Sequence, residues 1–256
     1  MRSIVFLILV LVTISCKKEN NTGYDTRFRG TLKIEFDNVV GSQDLRLTTG
    51  NYTNASGEAF TVRALRYFIS NISLGKTDGS TYVVPQDSSY FLVDESIRTS
   101  IPTLIIPEGE YDRLTFTVGV DSLRSAGGFS NLTGVLLPSL STYMNENNGF
   151  IFFSMEGTSP ASPQGSYRFR IGGYGGKTSA TFNNIKTITM DLSAGGISQI
   201  REGKESVIHI LADVAKVFGG TQNISIASNS VVEFEPFSVN VANNYALMFT
   251  HDHTHN

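Results

Sequence analysis

The sequence predicts an all-β protein, an antiparallel β-sandwich with one or two short helices in its connections and near its C-terminus. Three observations carry this. Segments that alternate apolar and polar residues recur along the chain, which is the period of a strand with one buried face. Gly, Asn, Ser, Thr and Pro gather between those segments, as turns require. With 256 residues, 17 Phe and 10 Tyr, the chain has the length and apolar bulk for a single sandwich.

The chain opens with a segment of another kind. Met1-Arg2 is a short positive start, and residues 4–12 form an unbroken apolar run. That run is too short to span a bilayer and fits the core of a signal peptide. Ile14-Ser15-Cys16 then resembles a bacterial lipobox, with Thr13 where such boxes usually carry Leu. We therefore read residues 1–15 as a signal peptide, 16–29 as a lipidated Cys16 with a polar tether, and 30–256 as the domain. This implies a protein anchored by lipid in the cell envelope, at the outer membrane. Cys16 is the only cysteine. Once acylated, it leaves no thiol for a disulfide, a Cys-ligated zinc or a nucleophile.

The strands follow in order. Residues 31–38 place Leu32, Ile34 and Phe36 on one face and Lys33, Glu35 and Asp37 on the other. Residues 40–57 read as loop, with a short strand at Leu45 and Leu47. In residues 62–74 the apolar face switches near Ser70-Asn71, which predicts a bulge. Residues 82–84 and 90–93 are short strands, and 101–106, between Pro102 and Pro107, is an edge strand. Residues 113–121 alternate cleanly through Leu114, Phe116, Val118 and Val120. Pro138 suits the start of a short helix through Leu140, Tyr143 and Met144.

Residues 148–176 are the centre of the pattern. Phe150-Ile151-Phe152-Phe153-Ser154-Met155 is apolar in both phases, as in a strand buried on both faces. After a Ser/Pro/Gly loop, Tyr167, Phe169 and Ile171 alternate with Arg168 and Arg170. Residues 185–192 and 206–218 supply two more strands, with residues 195–203 a turn or a single helical turn between them. Residues 241–249 fit a helix through Val241, Tyr245 and Met248, capped by Asn240.

The net charge of −3 implies neither nucleic acid nor acidic lipid as partner. No motif for a haem or nucleotide is present; the run Gly172-Gly173-Tyr174-Gly175-Gly176 lacks the Lys-Ser/Thr of a phosphate loop. No nucleophile and base occur together, so the chain reads as a binding protein rather than an enzyme. The ending, His251-Asp252-His253-Thr254-His255, is the strongest chemical signal. In an extended chain, residues two apart share a side, so three imidazoles can meet one ion, with Asp252 adding an oxygen. The other reading is a solvated tail with adventitious affinity. His209 lies in mid-strand and reads first as a hydrogen-bonded structural residue, second as a ligand.

Taken in order, FTVRALRYFISNISL, YFLVDES, LTFTVGVD, NGFIFFSMEG, FRIGGYGG and NNYALMFTHDHTHN resemble the MbnP-like family, which includes copper-related proteins of methane oxidisers and lipoproteins of Bacteroidetes-type bacteria. The resemblance implies a secreted β-sandwich, copper binding in some members, and in some a tryptophan converted to kynurenine by a dihaem partner enzyme. This chain departs at two places. Where members often read M-x-W-x-W, residues 142–146 read TYMNE, and the chain has no Trp. Where members often read F-x-H-[IL]-G, Arg170 stands at the His, and a guanidinium does not ligate copper. The donors left are the terminal histidines, His209, Met144 and Met155. Two functions follow: a copper-binding lipoprotein using the C-terminal histidines, or a metal-free surface module that kept the fold and lost the site. On the second reading, Arg170 is expected to be held by a carboxylate or by backbone carbonyls.

Overall fold

A computed structural model describes residues 25, 27–97, 100–129, 132–137 and 142–256. Cys16 and the signal segment lie outside them. In chain order the strands are β1 (Arg29–Val40), β2 (Gln43–Asp44), β3 (Tyr52–Thr53), β4 (Ala59–Phe60), β5 (Ala64–Lys76), β6 (Thr81–Val83), β7 (Tyr90–Asp94), β8 (Thr103–Pro107) and β9 (Gly109–Val118). A short helix α1 (Ser122–Ala126) is capped by the Asp121 carboxylate, which accepts from the Arg124 N–H. Then come β10 (Tyr143–Asn145), β11 (Gly149–Thr158), β12 (Ser166–Gly172), β13 (Lys186–Asp191), β14 (Ser198–Ile200), β15 (Glu205–Asp213), β16 (Val231–Val232), helix α2 (Ser238–Tyr245) and β17 (Phe249–His255).

Two sheets face each other. The smaller has the order β17-β15-β1-β2, with β8 on the same edge of β1 as β2; the larger runs β13-β9-β5-β11-β12-β16. Leu32, Ile34, Ile208 and Ile210 of the smaller sheet meet Tyr67, Leu114, Phe116, Val118, Phe153 and Met155 of the larger, all essentially fully buried. Phe36, partly buried, joins the sheets through edge-to-face contacts with Phe116 and Tyr67 at 5.6 and 5.9 Å. The sandwich class is as the alternation predicts.

The apolar character of β11 in both phases has a direct cause. Phe153 and Met155 face the inter-sheet core, while Phe150 and Phe152 belong to a second cluster with Phe68, Val120, Leu136 and Tyr143. That cluster lies under the connection between β9 and β11, so both faces of β11 are covered. The bulge in β5 also falls where the face switch puts it. Asn71 takes φ 52°, and the register with β9 jumps between Ser70 and Ser73. Tyr67 and Ile69 before the jump, and Ile72 and Leu74 after it, therefore all reach the same core.

Several expectations are corrected. The sheets are not wholly antiparallel, because β1 and β15 pair in parallel, as do β12 and β16. Neither pair is consecutive in sequence, so neither is held by the hairpin connection that enforces antiparallel pairing. Tyr143 and Met144 lie in β10, paired to β11, rather than in a helix; Pro138 and Leu140 are outside the described residues. The strand expected at Leu45 and Leu47 is instead at Gln43–Asp44. Residues 195–203 contain β14, paired to β9. Helix α2 starts earlier, with Asn240 inside it and no side-chain cap, and it ends at Tyr245. Phe249 opens a strand, so the C-terminus is sheet and not a tail.

Candidate metal centre

Strand β15 lies between β1 and β17, and its outward positions are Val207, His209 and Leu211, its inward ones Ile208 and Ile210. The parallel register sets Glu35 directly beside His209. Asp37, two residues on, is on the same outward face. The His209 Nδ1 stands 3.4 Å from Asp37 Oδ2 and 3.8 Å from Glu35 Oε2.

On the other side, β17 pairs antiparallel to β15, with His253 opposite His209, His251 opposite Ile210 and His255 opposite Val207. One residue of β17, Asp252, has no counterpart, and this bulge changes the phase of the strand. Without it, alternation would put all three histidines on one side. With it, His253 and His255 share the outward face with His209, while His251 takes the phase of buried Ile210. His251 packs against Gly195, where a Cβ would stand 2.8 Å from its Cε1, and its Nε2 meets Thr254 Oγ1 at 3.0 Å. Burial pushes the His251 pKa below its ordinary value, against the opposing influence of Asp252 and Asp191.

The grouped imidazoles are thus His209, His253 and His255, with a ligating atom of each within 4.8 Å of the others. His209 and His253 stack, ring centroids 4.4 Å apart and planes 10° from parallel; His255 stands edge-on to both, at 5.2 and 4.6 Å. The Nε2 atoms of His253 and His255 are 3.0 Å apart. Two nitrogens on one tetrahedral ion, with bonds of about 2.0–2.1 Å, stand about 3.3 Å apart, so this spacing suits a shared ion. Asp252 Oδ2 lies 2.8 Å from His253 Nδ1. A carboxylate on Nδ1 holds the ring and leaves Nε2 open, so Asp252 is placed to orient His253 rather than to add an oxygen beside the other imidazoles. Asp37 stands in a similar, longer relation to His209, with Oδ2 3.4 Å from Nδ1, while Glu35 at 3.8 Å adds negative charge beside the ring without a hydrogen bond.

The strand end is pinned. Asn256 Oδ1 accepts from the Gln199 N–H at 2.7 Å and from Ser206 Oγ at 2.9 Å, and its Nδ2 donates to the Ile197 carbonyl at 3.0 Å. Ordering these side chains in advance is what a solvated tail lacks. Sequence reading named His251, His253, His255 and Asp252 as candidates and ranked His209 lowest; the fold groups His253 and His255 with His209 and sets His251 in the opposite phase. Sequence reading missed Glu35 and Asp37; their outward phase was legible, their pairing with β15 was not.

The remaining donors are elsewhere. Met155 is fully buried between the sheets, and Met144 sits in β10 against Gly172. Arg170 is half-buried in β12, opposite Ser154, and forms no ion pair with a described residue. The expected carboxylate or carbonyl partner is not found among the described residues, and partial exposure leaves water to solvate the guanidinium.

The sequence model of the MbnP family matches residues 29–240, a span that contains Glu35, Asp37 and His209 and stops before β17. The solved structure of MbnP from Methylosinus trichosporium superposes with a TM-score of 0.52, covering 81% of this chain and 82% of that one at 13% identity. At that identity the likeness is one of fold. No curated protein matches the chain.

Proposed function

This chain belongs to the MbnP family, and on that premise we propose that it is an exported, lipid-anchored protein that binds one transition-metal ion, copper, through His209, His253 and His255. The observation that carries the reading is the convergence of three imidazoles on β15 and β17, two of them 3.0 Å apart at Nε2 and each of His209 and His253 backed by carboxylates. A donor set of imidazoles suits copper or zinc, and the order of divalent affinities places Cu(II) above Zn(II). The pinned C-terminus supports tight rather than adventitious binding. Acylation at Cys16 would tether the domain to the outer membrane of the cell envelope, and the role is binding rather than catalysis.

The test is a copper titration of untagged, chelator-treated protein. The parent should bind one equivalent, and His209→Asn and His253→Asn should each bind far more weakly. Asp252→Asn should lose about 10–100-fold, the usual cost of removing an orienting carboxylate. His251→Asn, facing the other way, should bind as the parent does. Neutral imidazole is the ligating form, so affinity should weaken in acid. Equal binding by His209→Asn and the parent would remove the site from the proposal. No binding by the parent would leave the metal-free surface module as the reading.

A further inference from the structure

We infer that the outer face of the larger sheet carries an oxyanion-binding cleft centred on Arg170, which takes a small carboxylate or phosphate. The cleft has a volume of about 290 Å³. Its floor is set by register across three adjacent strands. Ser154 of β11 lies opposite Arg66 of β5 on one side and opposite Arg170 of β12 on the other. Side chains directly opposite in a ladder point to the same face, and neighbouring strands are about 4.8 Å apart. Two guanidiniums thus flank one hydroxyl in a single row, a spacing their long stems can close around an anion.

The charges divide unevenly. Arg66 Nε is fixed on Asp94 Oδ2 at 2.6 Å, which holds its planar fork in place while further N–H groups remain. Arg168, in the next row, is occupied by Glu233 through Nε and Nη2 at 2.8 and 2.7 Å. Arg170 has no such partner among the described residues, although Glu156 also lines the cleft. A guanidinium presents five donors in a fork that matches a carboxylate or a phosphate. The wall supplies a second, independent sign of a missing group. Thr142 lines the cleft, is 8% exposed, and its Oγ1 has no hydrogen-bond partner among the described residues. Buried hydroxyls without partners are uncommon, and one beside an unpaired guanidinium asks for an acceptor.

This site is independent of the histidine cluster, which lies on the other sheet. The experiment is calorimetry on the full chain after chelation, so that no bound metal contributes, with inorganic phosphate and with succinate as separate probes. One equivalent of a probe should bind the parent. Arg170→Gln should bind about 10-fold more weakly or worse, as expected when a charge-assisted hydrogen-bonding pair is removed. Arg170→Lys, which keeps the charge and loses the fork, should fall between. Ser154→Ala should weaken binding without altering net charge, and its thermal unfolding will show that the sheet is intact. Arg113→Gln, a change of equal charge on β9, should bind like the parent. Binding of phosphate alone assigns a phosphoryl ligand, and binding of succinate alone assigns a carboxylate. No binding of either probe overturns the inference. So does equal loss in Arg113→Gln and Arg170→Gln, which would mean general surface charge only.

Discussion

Phe116→Ala tests the link between the core and the candidate metal centre. Phe116 is fully buried on β9, and its ring meets Phe36 of β1 at 5.6 Å and Phe249 of β17 at 5.3 Å, both edge-to-face. Phe-to-Ala in a core costs about 3–5 kcal/mol through lost transfer energy and the cavity left behind. Two aromatic contacts at about 0.5–1.5 kcal/mol each place this site in the upper half of that range, about 4–5 kcal/mol. For a domain of this size, that is a fall in Tm of about 8–20 °C. The assay is urea and thermal unfolding of metal-free protein followed by circular dichroism. Thr115→Ala, one residue away on the opposite face, removes only a cross-strand hydrogen bond to Thr189 Oγ1 and should cost about 1 kcal/mol or less. Phe249 begins the strand that carries His253 and His255, so the Phe116 variant should also bind copper more weakly, although Phe116 touches no ligand. A loss below about 1 kcal/mol would refute the packing argument.

Two further outcomes are expected. Burial alone would raise the Glu58 pKa, but hydrogen bonds from Asn54 Nδ2, the Ala227 and Ile226 N–H groups and Ser225 Oγ outweigh it and lower the value from 4.5. A carboxyl depressed in the folded state adds stability that is present above pH 4.5 and lost as pH falls through the folded value. Glu58→Gln should therefore destabilise the protein at pH 7 and flatten the acid side of the stability curve; parallel curves for the two proteins would contradict this. Cys16→Ala should abolish the acylated N-terminus seen by mass spectrometry and release the protein from the membrane fraction, and unchanged retention would remove the anchor.

The histidines show where reading the sequence reached its limit. The extended pattern at residues 251–255 was legible, and so was its metal-ligating chemistry. The pattern assumed an unbroken period of two, and the bulge at Asp252 broke it, turning His251 inward and bringing His209 into the group in its place. Arg170 is a similar case. Its outward phase was legible from Tyr167, Phe169 and Ile171, but its lack of a carboxylate depended on where Asp94 and Glu233 were already engaged.

The alternation in β1, β9, β12 and β15 fixed by itself which residues are inside, because the period of a strand is a local property of the backbone. The face switch at Ser70-Asn71 and the double burial of β11 were local for the same reason. Which strands become neighbours is not local. The pairing of β1 with β15, and of β15 with β17, joins segments from the two ends of the domain through buried faces that carry no address in their composition. Only the tertiary structure therefore set Glu35 and Asp37 beside His209, and His209 beside His253 and His255, since apolar patterning says which face is buried but not what it is buried against.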